Sequence, residues 1–177
     1  ITTGAIEALV KKYPDLILVQ LDAHADLRES YMGNEHNHAC TMKRCLDILP
    51  QKKIFQVGIR SGTKEEYKFM IENNQLVNFQ TGENSQELEK AILPYKNSPI
   101  YLTIDLDWFD PSLLAGTGTP EPGGFFWNDF QVISETLNSL NIVASDIVEL
   151  SPDIDSSGVS SVVAAKVLRS LIMILEK

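Results

Sequence analysis

The fold is decided by the stretch Leu16-Ile17-Leu18-Val19-Gln20-Leu21-Asp22-Ala23-His24-Ala25-Asp26. A run of β-type apolar residues passes there directly into alternating acidic and imidazole side chains. Alternate residues of an extended segment point to one side, so Asp22, His24 and Asp26 can face a single point. Chemistry in α/β folds collects at the carboxyl ends of parallel strands. The stretch therefore predicts a buried strand that ends in a functional site.

A second acidic cluster, Asp105-Leu106-Asp107, follows another apolar run at residues 99–104. An Asp at the end of a strand is often a helix N-cap or a turn residue, and for either cluster alone this interpretation is as good as a functional one. The two together favour a shared site, because converging carboxylates are costly to bury unless cations pair them. An oxygen-rich ligand set with one imidazole and no thiolate suits Mn²⁺ better than a structural zinc ion. We therefore expect two divalent metal ions between the clusters.

Composition and charge restrict the class of protein and its partners. The 177 residues suit a single domain over residues 1–177, and 44% hydrophobic residues suffice for a buried core. The net charge of −9 argues against a surface for nucleic-acid phosphates. Cys40 and Cys45 match neither a disulfide framework nor a zinc spacing, so a reduced, cytoplasmic setting is expected. No apolar run is long enough for a membrane span, and no signal-peptide pattern is present.

Strand and helix patterns alternate along the sequence, and the apolar run at residues 17–19 fits a strand covered on both faces. This predicts a three-layer α/β/α fold with a mainly parallel sheet. Strands are expected at residues 16–21, 54–59, 76–79, 100–104 and 144–150. Helices are expected at residues 3–12, 37–49, 64–73, 85–93, 128–139 and 157–176. A Gly- and Pro-rich loop at residues 110–124 lies beside the second acidic cluster and is either functional or a plain surface loop.

Four motifs occur in order along nearly the whole chain: 22–26 (DAHAD), 103–111 (TIDLDWFDP), 116–124 (GTGTPEPGG) and 146–152 (DIVELSP). Together they resemble the ureohydrolase family of arginases and agmatinases. The family also carries a Gly-Gly-acidic-His-Ser motif whose His is a metal ligand, and this motif is absent from the sequence. The resemblance implies an arginase-like fold and a carboxyl-terminal portion whose N-terminal strands are missing.

The resemblance implies a binuclear manganese site. Asp22 and Asp105 would bridge both Mn²⁺ ions, His24 and Asp107 would complete the shell of one ion, and Asp26 would bind the other beside the missing His. Two divalent ions lower the pKa of a shared water. The resulting hydroxide would attack the carbon of a guanidinium group, and the tetrahedral species would collapse to urea and an amine.

The same resemblance suggests residues that act on the substrate. Glu149 resembles the carboxylate that holds the guanidinium in two-point geometry, although a helix-capping or salt-bridged Glu is the alternative. His38 resembles the histidine that brings a proton to the leaving amine. His36 competes for that role, and either one could be a surface-loop histidine. Asp26 is counted among the catalytic residues as well as among the ligands.

The loop at residues 27–38 should border the far end of the substrate. It lacks the Thr/Ser/Asn-rich run of arginases and holds Glu29 and Glu35, so it looks more like agmatinase loops, and an acidic rim suits an amine-ended substrate. Arg28 in the same loop opposes this charge argument, so the choice of agmatine rests mainly on the resemblance. The function expected is the hydrolysis of agmatine to putrescine and urea. Arginase or another guanidino-acid amidinohydrolase is the alternative within the class.

A reading from another class is a truncated, non-catalytic chain with an incomplete metal site. The sequence starts at Ile1 without an initiator Met. We expect the strand at residues 144–150 to form the sheet edge beside the missing strands. The isolated chain is then expected to be metal-poor, inactive and prone to association, and the full-length form to be a homo-oligomer.

Overall fold

The computed structural model describes residues 1–50, 53–79 and 86–176. In this part of the chain five parallel strands form one sheet in the order β3-β2-β1-β4-β5. The strands are β1 Ile17–Leu21, β2 Ile54–Val57, β3 Leu76–Val77, β4 Ile100–Asp105 and β5 Ile142–Val148. The helices are α1 Thr2–Leu9, α2 Thr41–Ile48, α3 Lys64–Glu72, α4 Gln86–Ile92, α5 Trp127–Asn138 and α6 Val159–Leu175.

Helices cover the sheet on both faces. Side chains of α1, α2 and α3 pack on one face, among them Ile6, Met42 and Met70. Side chains of α4, α5 and α6 pack on the other, among them Leu88 and Val167. Every residue of β1 and β4 is buried, as expected for parallel strands between two helical layers. The predicted three-layer α/β/α fold with a parallel sheet is confirmed.

Four strand ends differ from the sequence-based prediction. β3 ends two residues earlier and β4 one residue later than expected, and backbone geometry explains the ends of β2 and β5. β2 ends at Val57 rather than 59, since Gly58 follows with φ +94°, a conformation that L side chains rarely adopt. A Cβ at this glycine would lie 2.4 Å from Trp108 Nε1. The indole can therefore pack this closely only against a residue without a side chain. β5 ends at Val148 rather than 150, since Glu149 takes φ 65°.

The predicted helix at residues 37–49 is divided in two. A 3-10 turn, His38–Cys40, precedes α2, and the Asn37 side chain accepts a hydrogen bond from Ala39 N at 3.3 Å. Residue 85, the predicted start of the fourth helix, lies outside the described residues, and α4 begins at Gln86.

A row of four polar side chains crosses the sheet at one level. Gln56 pairs with Gln20, Gln20 with Thr103, and Thr103 with Asp146 in the parallel register. Side chains alternate along a strand, so these four share the face covered by α1, α2 and α3. The row lies two residues before the acidic residues that end β1 and β4. It therefore forms the layer directly beneath the acidic clusters.

Within the described residues, β5 is the edge strand on its side of the sheet, as predicted. Six of its seven residues are only partly buried. Among the described helices, none has the length and apolarity that a membrane crossing requires.

Candidate metal centre

A cavity of about 1000 Å³ opens at the carboxyl ends of β1, β4 and β5. Its lining includes all eight side chains singled out above: Asp22, His24, Asp26, His36, His38, Asp105, Asp107 and Glu149. The fold brings the two acidic clusters together because β1 and β4 are hydrogen-bonded neighbours, with Leu21 opposite Ile104. The prediction that these strands are adjacent is confirmed. The structure therefore places every candidate residue around one space.

The loop after β2 holds the first acidic segment in place. Arg60 N and Ser61 N both donate to Ala23 O at 2.9 Å, and Ala25 N donates to Ser61 O at 3.2 Å. A short parallel bridge, His24 with Ser61, results. These bonds fix the path of the segment after Leu21, which bends at Ala23 rather than continuing as an extended strand, and Asp22, His24 and Asp26 all line the cavity.

The side chains of His24 and Asp107 are in hydrogen-bond contact across the two acidic clusters. His24 Nδ1 lies 2.8 Å from Asp107 Oδ2, and Asp107 Oδ1 accepts a hydrogen bond from Ala23 N at 3.0 Å. Asp22 Oδ1 lies 3.8 Å from the same imidazole nitrogen. One donor atom from each of Asp22, His24 and Asp107 lies within 4.8 Å of the others. Three potential ligand atoms are therefore already gathered around one point.

Burial and mutual repulsion raise the pKa values of three carboxyl groups. Burial first, and then the neighbouring carboxylates, raise the pKa of Asp22, and they raise that of Asp105 to about 9. Burial is also the main cause that raises the pKa of Asp26 to about 7. Burial would raise the pKa of Asp107 as well, but the hydrogen bonds from His24 and Ala23 N lower it. The hydrogen bond to Asp107 raises the pKa of His24.

The donor set fits a pair of divalent cations. Carboxylates crowded into a buried site oppose their own ionisation unless positive charge is supplied. Carboxylate oxygens with one imidazole suit a hard or borderline ion such as Mn²⁺. No cysteine is among the described cavity residues, so a thiolate site is not formed there. The ligand types of the cluster therefore fit a divalent cation.

Two residues that line the cavity have strained backbone conformations. In the described part of the chain, four residues other than glycine have positive φ, and two of these are Asp26 at 53° and Glu149 at 65°. Such conformations cost about 1–3 kcal/mol and persist where the surroundings impose them. The strain supports functional roles for these two residues.

Glu149 is held beside the Gly-rich loop. Ser151 N, just after β5, donates to Gly116 O of the loop at 2.8 Å, and Gly116 N donates to Ser160 Oγ at the start of α6, also at 2.8 Å. A Cβ at Gly118 would lie 3.7 Å from Glu149 Oε2. The loop at residues 110–124 therefore forms a wall of the cavity and is not a plain surface loop.

Both candidate histidines are exposed residues of the cavity lining. The His38 ring makes an edge contact with Tyr31, with centroids 5.9 Å apart. His36 donates its backbone N–H to Asn34 Oδ1 at 2.8 Å. The aromatic contact gives His38 a defined position at the rim, while His36 lies in a turn.

The acidic rim expected for an amine-ended substrate is neutralised. Arg44 donates to Glu29 at 2.9 Å and to Glu35 at 3.3 Å. Arg28 lies 4.7 Å from the centre of the Tyr31 ring. The two carboxylates therefore bind the loop at residues 27–38 to α2. Because they are paired with Arg44, their charge does not favour an amine-ended substrate.

Sequence reasoning missed several residues that support the cluster. Gln20 Nε2 donates to Asp22 Oδ2 at 2.6 Å, and Thr119 Oγ1 lies 3.4 Å from Asp107 Oδ2. Arg60 binds backbone carbonyls of the loop that follows Asp107. One signal was available: Gln20 interrupts an otherwise apolar strand two residues before Asp22.

Comparison with known proteins gives consistent relatives. A model of the arginase family matches residues 1–174. An agmatinase of Bacillus anthracis is 34% identical over 169 residues, covering 94% of this chain and 58% of that protein. An N(1)-aminopropylagmatine ureohydrolase of Synechocystis sp. is 34% identical over 176 residues, covering 97% and 56%. A crystal structure described as a candidate agmatinase from Clostridium difficile superimposes with a TM-score of 0.88 at 44% identity, covering 98% of this chain and 63% of that one. The chain thus spans little more than half the length of the curated relatives it matches.

Proposed function

Since the chain belongs to the arginase family, we propose that the protein is a metal-dependent ureohydrolase that converts agmatine and water to putrescine and urea. The observation that carries the proposal is the convergence of Asp22, His24 and Asp107 on one point of the cavity. Asp26 and Asp105 lie around the same space. Three of the four carboxylates, those of Asp22, Asp105 and Asp107, are buried, and a fold without chemistry there gains nothing from burying them together.

Five residues would hold two Mn²⁺ ions: Asp22, His24, Asp26, Asp105 and Asp107. Such a pair of ions supplies a nucleophilic water at neutral pH and offsets charge that develops on the substrate. Asp22 directly follows β1, and Asp105 ends β4, its hydrogen-bonded neighbour, so both carboxylates would be placed to bridge the two ions. Burial and mutual repulsion raise the pKa values of both carboxyl groups, which supports a site where positive charge is needed to keep them ionised.

The remaining residues would bind and orient the substrate. Glu149 would hold the planar guanidinium through two N–H groups, and its backbone conformation supports a fixed position. Water oxygen adds to the guanidinium carbon, and the bond from that carbon to the alkyl nitrogen breaks. The alkyl nitrogen then needs one proton to leave as putrescine, and His38 would deliver it from the rim. Carbon, nitrogen and protons then balance as urea and a diamine.

Agmatine is the proposed substrate because of the relatives rather than the rim charges. An agmatinase and an N(1)-aminopropylagmatine ureohydrolase match the chain at the same identity. Aminopropylagmatine is therefore the second candidate, and it differs only at the end remote from the guanidinium. The buried free thiols of Cys40 and Cys45 support our proposal of a reducing, cytoplasmic setting.

The test is urea release by the purified gene product with and without Mn²⁺. The panel contains agmatine, N(1)-aminopropylagmatine, arginine and guanidinobutyrate. Agmatine should give the highest kcat/KM, and EDTA should remove the activity. Arginine as the best substrate would overturn the choice of agmatine. Metal content, measured in parallel, separates an enzyme with two ions from a non-catalytic chain that holds one or none.

A further inference from the structure

We propose that Gln20 and Gln56 form an oriented amide pair that positions Asp22 to bridge two cations. The inference rests on the metal site proposed above, and it assigns a role to residues that lie outside that site. Gln20 is 1% exposed and Gln56 is 0% exposed. They face each other across β1 and β2 in the polar row beneath the cavity.

Three contacts connect the pair to the acidic segment, and a fourth joins its two members. Gln20 Nε2 donates to Asp22 Oδ2 at 2.6 Å and approaches His24 O at 3.4 Å. Gln56 Nε2 donates to Gln20 Oε1 at 2.7 Å and to Ala25 O at 2.8 Å. The amide pair therefore contacts both ends of the segment that carries three proposed metal-binding residues.

The direction of the amide pair is fixed at both ends by groups that accept hydrogen bonds. The Ala25 carbonyl has no proton to give, so Gln56 must present its NH₂ group there. The second N–H of that group then points to Gln20 Oε1. Gln20 in turn presents its own NH₂ to Asp22, whose ionised form is also an acceptor only. An amide flip at either Gln would bring two acceptors together.

The hydrogen bonds leave Asp22 with the free acceptor sites that a bridge requires. Asp22 Oδ2 accepts from Gln20, and Asp22 Oδ1 accepts from His24 N at 2.6 Å. A carboxylate offers about four lone-pair sites, two on each oxygen. One site on each oxygen is therefore occupied by a donor, and one on each remains for a cation. The two donors also oppose rotation of the carboxylate.

A purely structural role for the pair is the weaker explanation. In strands covered on both faces, apolar side chains such as neighbouring Leu18 and Ile54 pack without losing hydrogen bonds to water. Gln56 Oε1 is buried and has no hydrogen-bond partner in the described part of the chain, which costs stability. The pair therefore brings no evident gain to the core, and its one connection outside the core is to the proposed ligand segment.

The experiment compares Gln20→Met and Gln56→Met with a matched control, Gln75→Met, in the full-length gene product. Gln75 is 1% exposed and also has a buried, unpartnered Oε1 in the described structure, but its side chain has no hydrogen bond to the acidic segment. Mn²⁺ binding is measured by calorimetry, and the spin-coupled signal of paired ions by electron paramagnetic resonance. Each site variant should bind the second ion about 10- to 100-fold more weakly and lose the coupled signal. The control should retain both.

A volume-conserving variant covers the case in which the Met variants fail to fold. Gln56→Glu removes a donor at the same size, and Gln20 should then turn its NH₂ group toward the new carboxylate and its oxygen toward Asp22. Weaker binding of the second ion is again expected. Wild-type affinity and spin coupling in folded Gln20 and Gln56 variants would overturn the inference and leave the proposed function in place. Absence of metal binding by the wild type would instead contradict the metal site itself.

Discussion

At the scale of single residues, the contact between His24 and Asp107 gives the most direct test of the metal site. Asp107→Asn removes the charge but keeps the size of the side chain. It places an amide opposite His24 Nδ1, which lies 2.8 Å from Asp107 Oδ2 in the structure. We expect metal affinity to fall about 10- to 100-fold and urea release to be almost abolished. Circular dichroism should show an intact fold. Near-normal urea release by this variant would remove Asp107 from the ligand set.

Glu149 should affect the substrate more than the metal. Glu149→Ala removes a carboxylate that we assign to the guanidinium, so kcat/KM should fall at least 100-fold while two Mn²⁺ ions remain bound. Alanine must also adopt φ 65°, so the thermal midpoint is measured alongside. Glu149→Gln serves as the comparison, because it keeps the shape without the charge. Loss of metal with retained agmatine affinity would assign Glu149 to the metal instead.

At the scale of elements, Arg60 fastens the loop after β4 to the end of β2. Its guanidinium donates to the carbonyls of Asp107 at 2.7 Å, Glu121 at 2.8 Å and Pro122 at 3.2 Å. A Cβ at Gly124 would lie 2.7 Å from Arg60 Nη2, so the loop approaches as closely as a glycine allows. One planar group thus holds both ends of the segment that forms the cavity wall.

Arg60→Lys should release this loop even though the charge is kept. An ammonium group cannot reproduce the guanidinium fork, and we expect a loss of about 2–3 kcal/mol in unfolding free energy from hydrogen bonds to a charged donor. Limited proteolysis should begin within residues 110–124 before the rest of the chain unfolds. Arg169→Lys, at an exposed position of α6, is the control and should behave as wild type. Equal protease resistance of the two variants would contradict the role of Arg60.

The order of strands and helices, and the meeting of the two acidic clusters, were predictable from the sequence because both follow from local patterns. Apolar β-type runs end in acidic residues, and parallel strands deliver their carboxyl ends to one edge. The polar row was not predictable, since the alignment of Gln56 with Gln20 and of Thr103 with Asp146 depends on register between distant strands. Arg60 was missed because its partners are backbone carbonyls, which carry no residue-specific signal. The rim charges were misjudged because Arg44, on a separate helix, pairs with both.

At the scale of the whole molecule, the metal-free protein should lose stability as pH rises. The folded-state pKa values of Asp26, about 7, and Asp105, about 9, exceed the ordinary value of 3.8. Between pH 3.8 and the raised pKa of each group, the folded state therefore binds more protons than the unfolded state. The stabilising contribution is complete below about pH 4 and is lost as pH passes 7 and then 9. The lowered pKa of Asp107 acts in the opposite sense. It is one carboxyl group, whereas the pKa is raised at three, namely Asp22, Asp26 and Asp105.

The measurement is the thermal midpoint at pH 6 and pH 9, with EDTA and with saturating Mn²⁺. With EDTA the midpoint should be lower at pH 9. With Mn²⁺ the difference should shrink or reverse, because bound cations favour the ionised carboxylates and ligand binding stabilises the folded state. A metal-free midpoint that rises from pH 6 to pH 9 would show that the carboxylates do not repel one another as described.

The 83 residues that separate His24 from Asp107 also set an order of events during synthesis. The first acidic segment leaves the ribosome long before its partner, at about 5–20 residues per second. For several seconds the nascent chain therefore carries only half of the proposed cation site. Under the proposed function, capture of the ions must follow the pairing of β1 with β4.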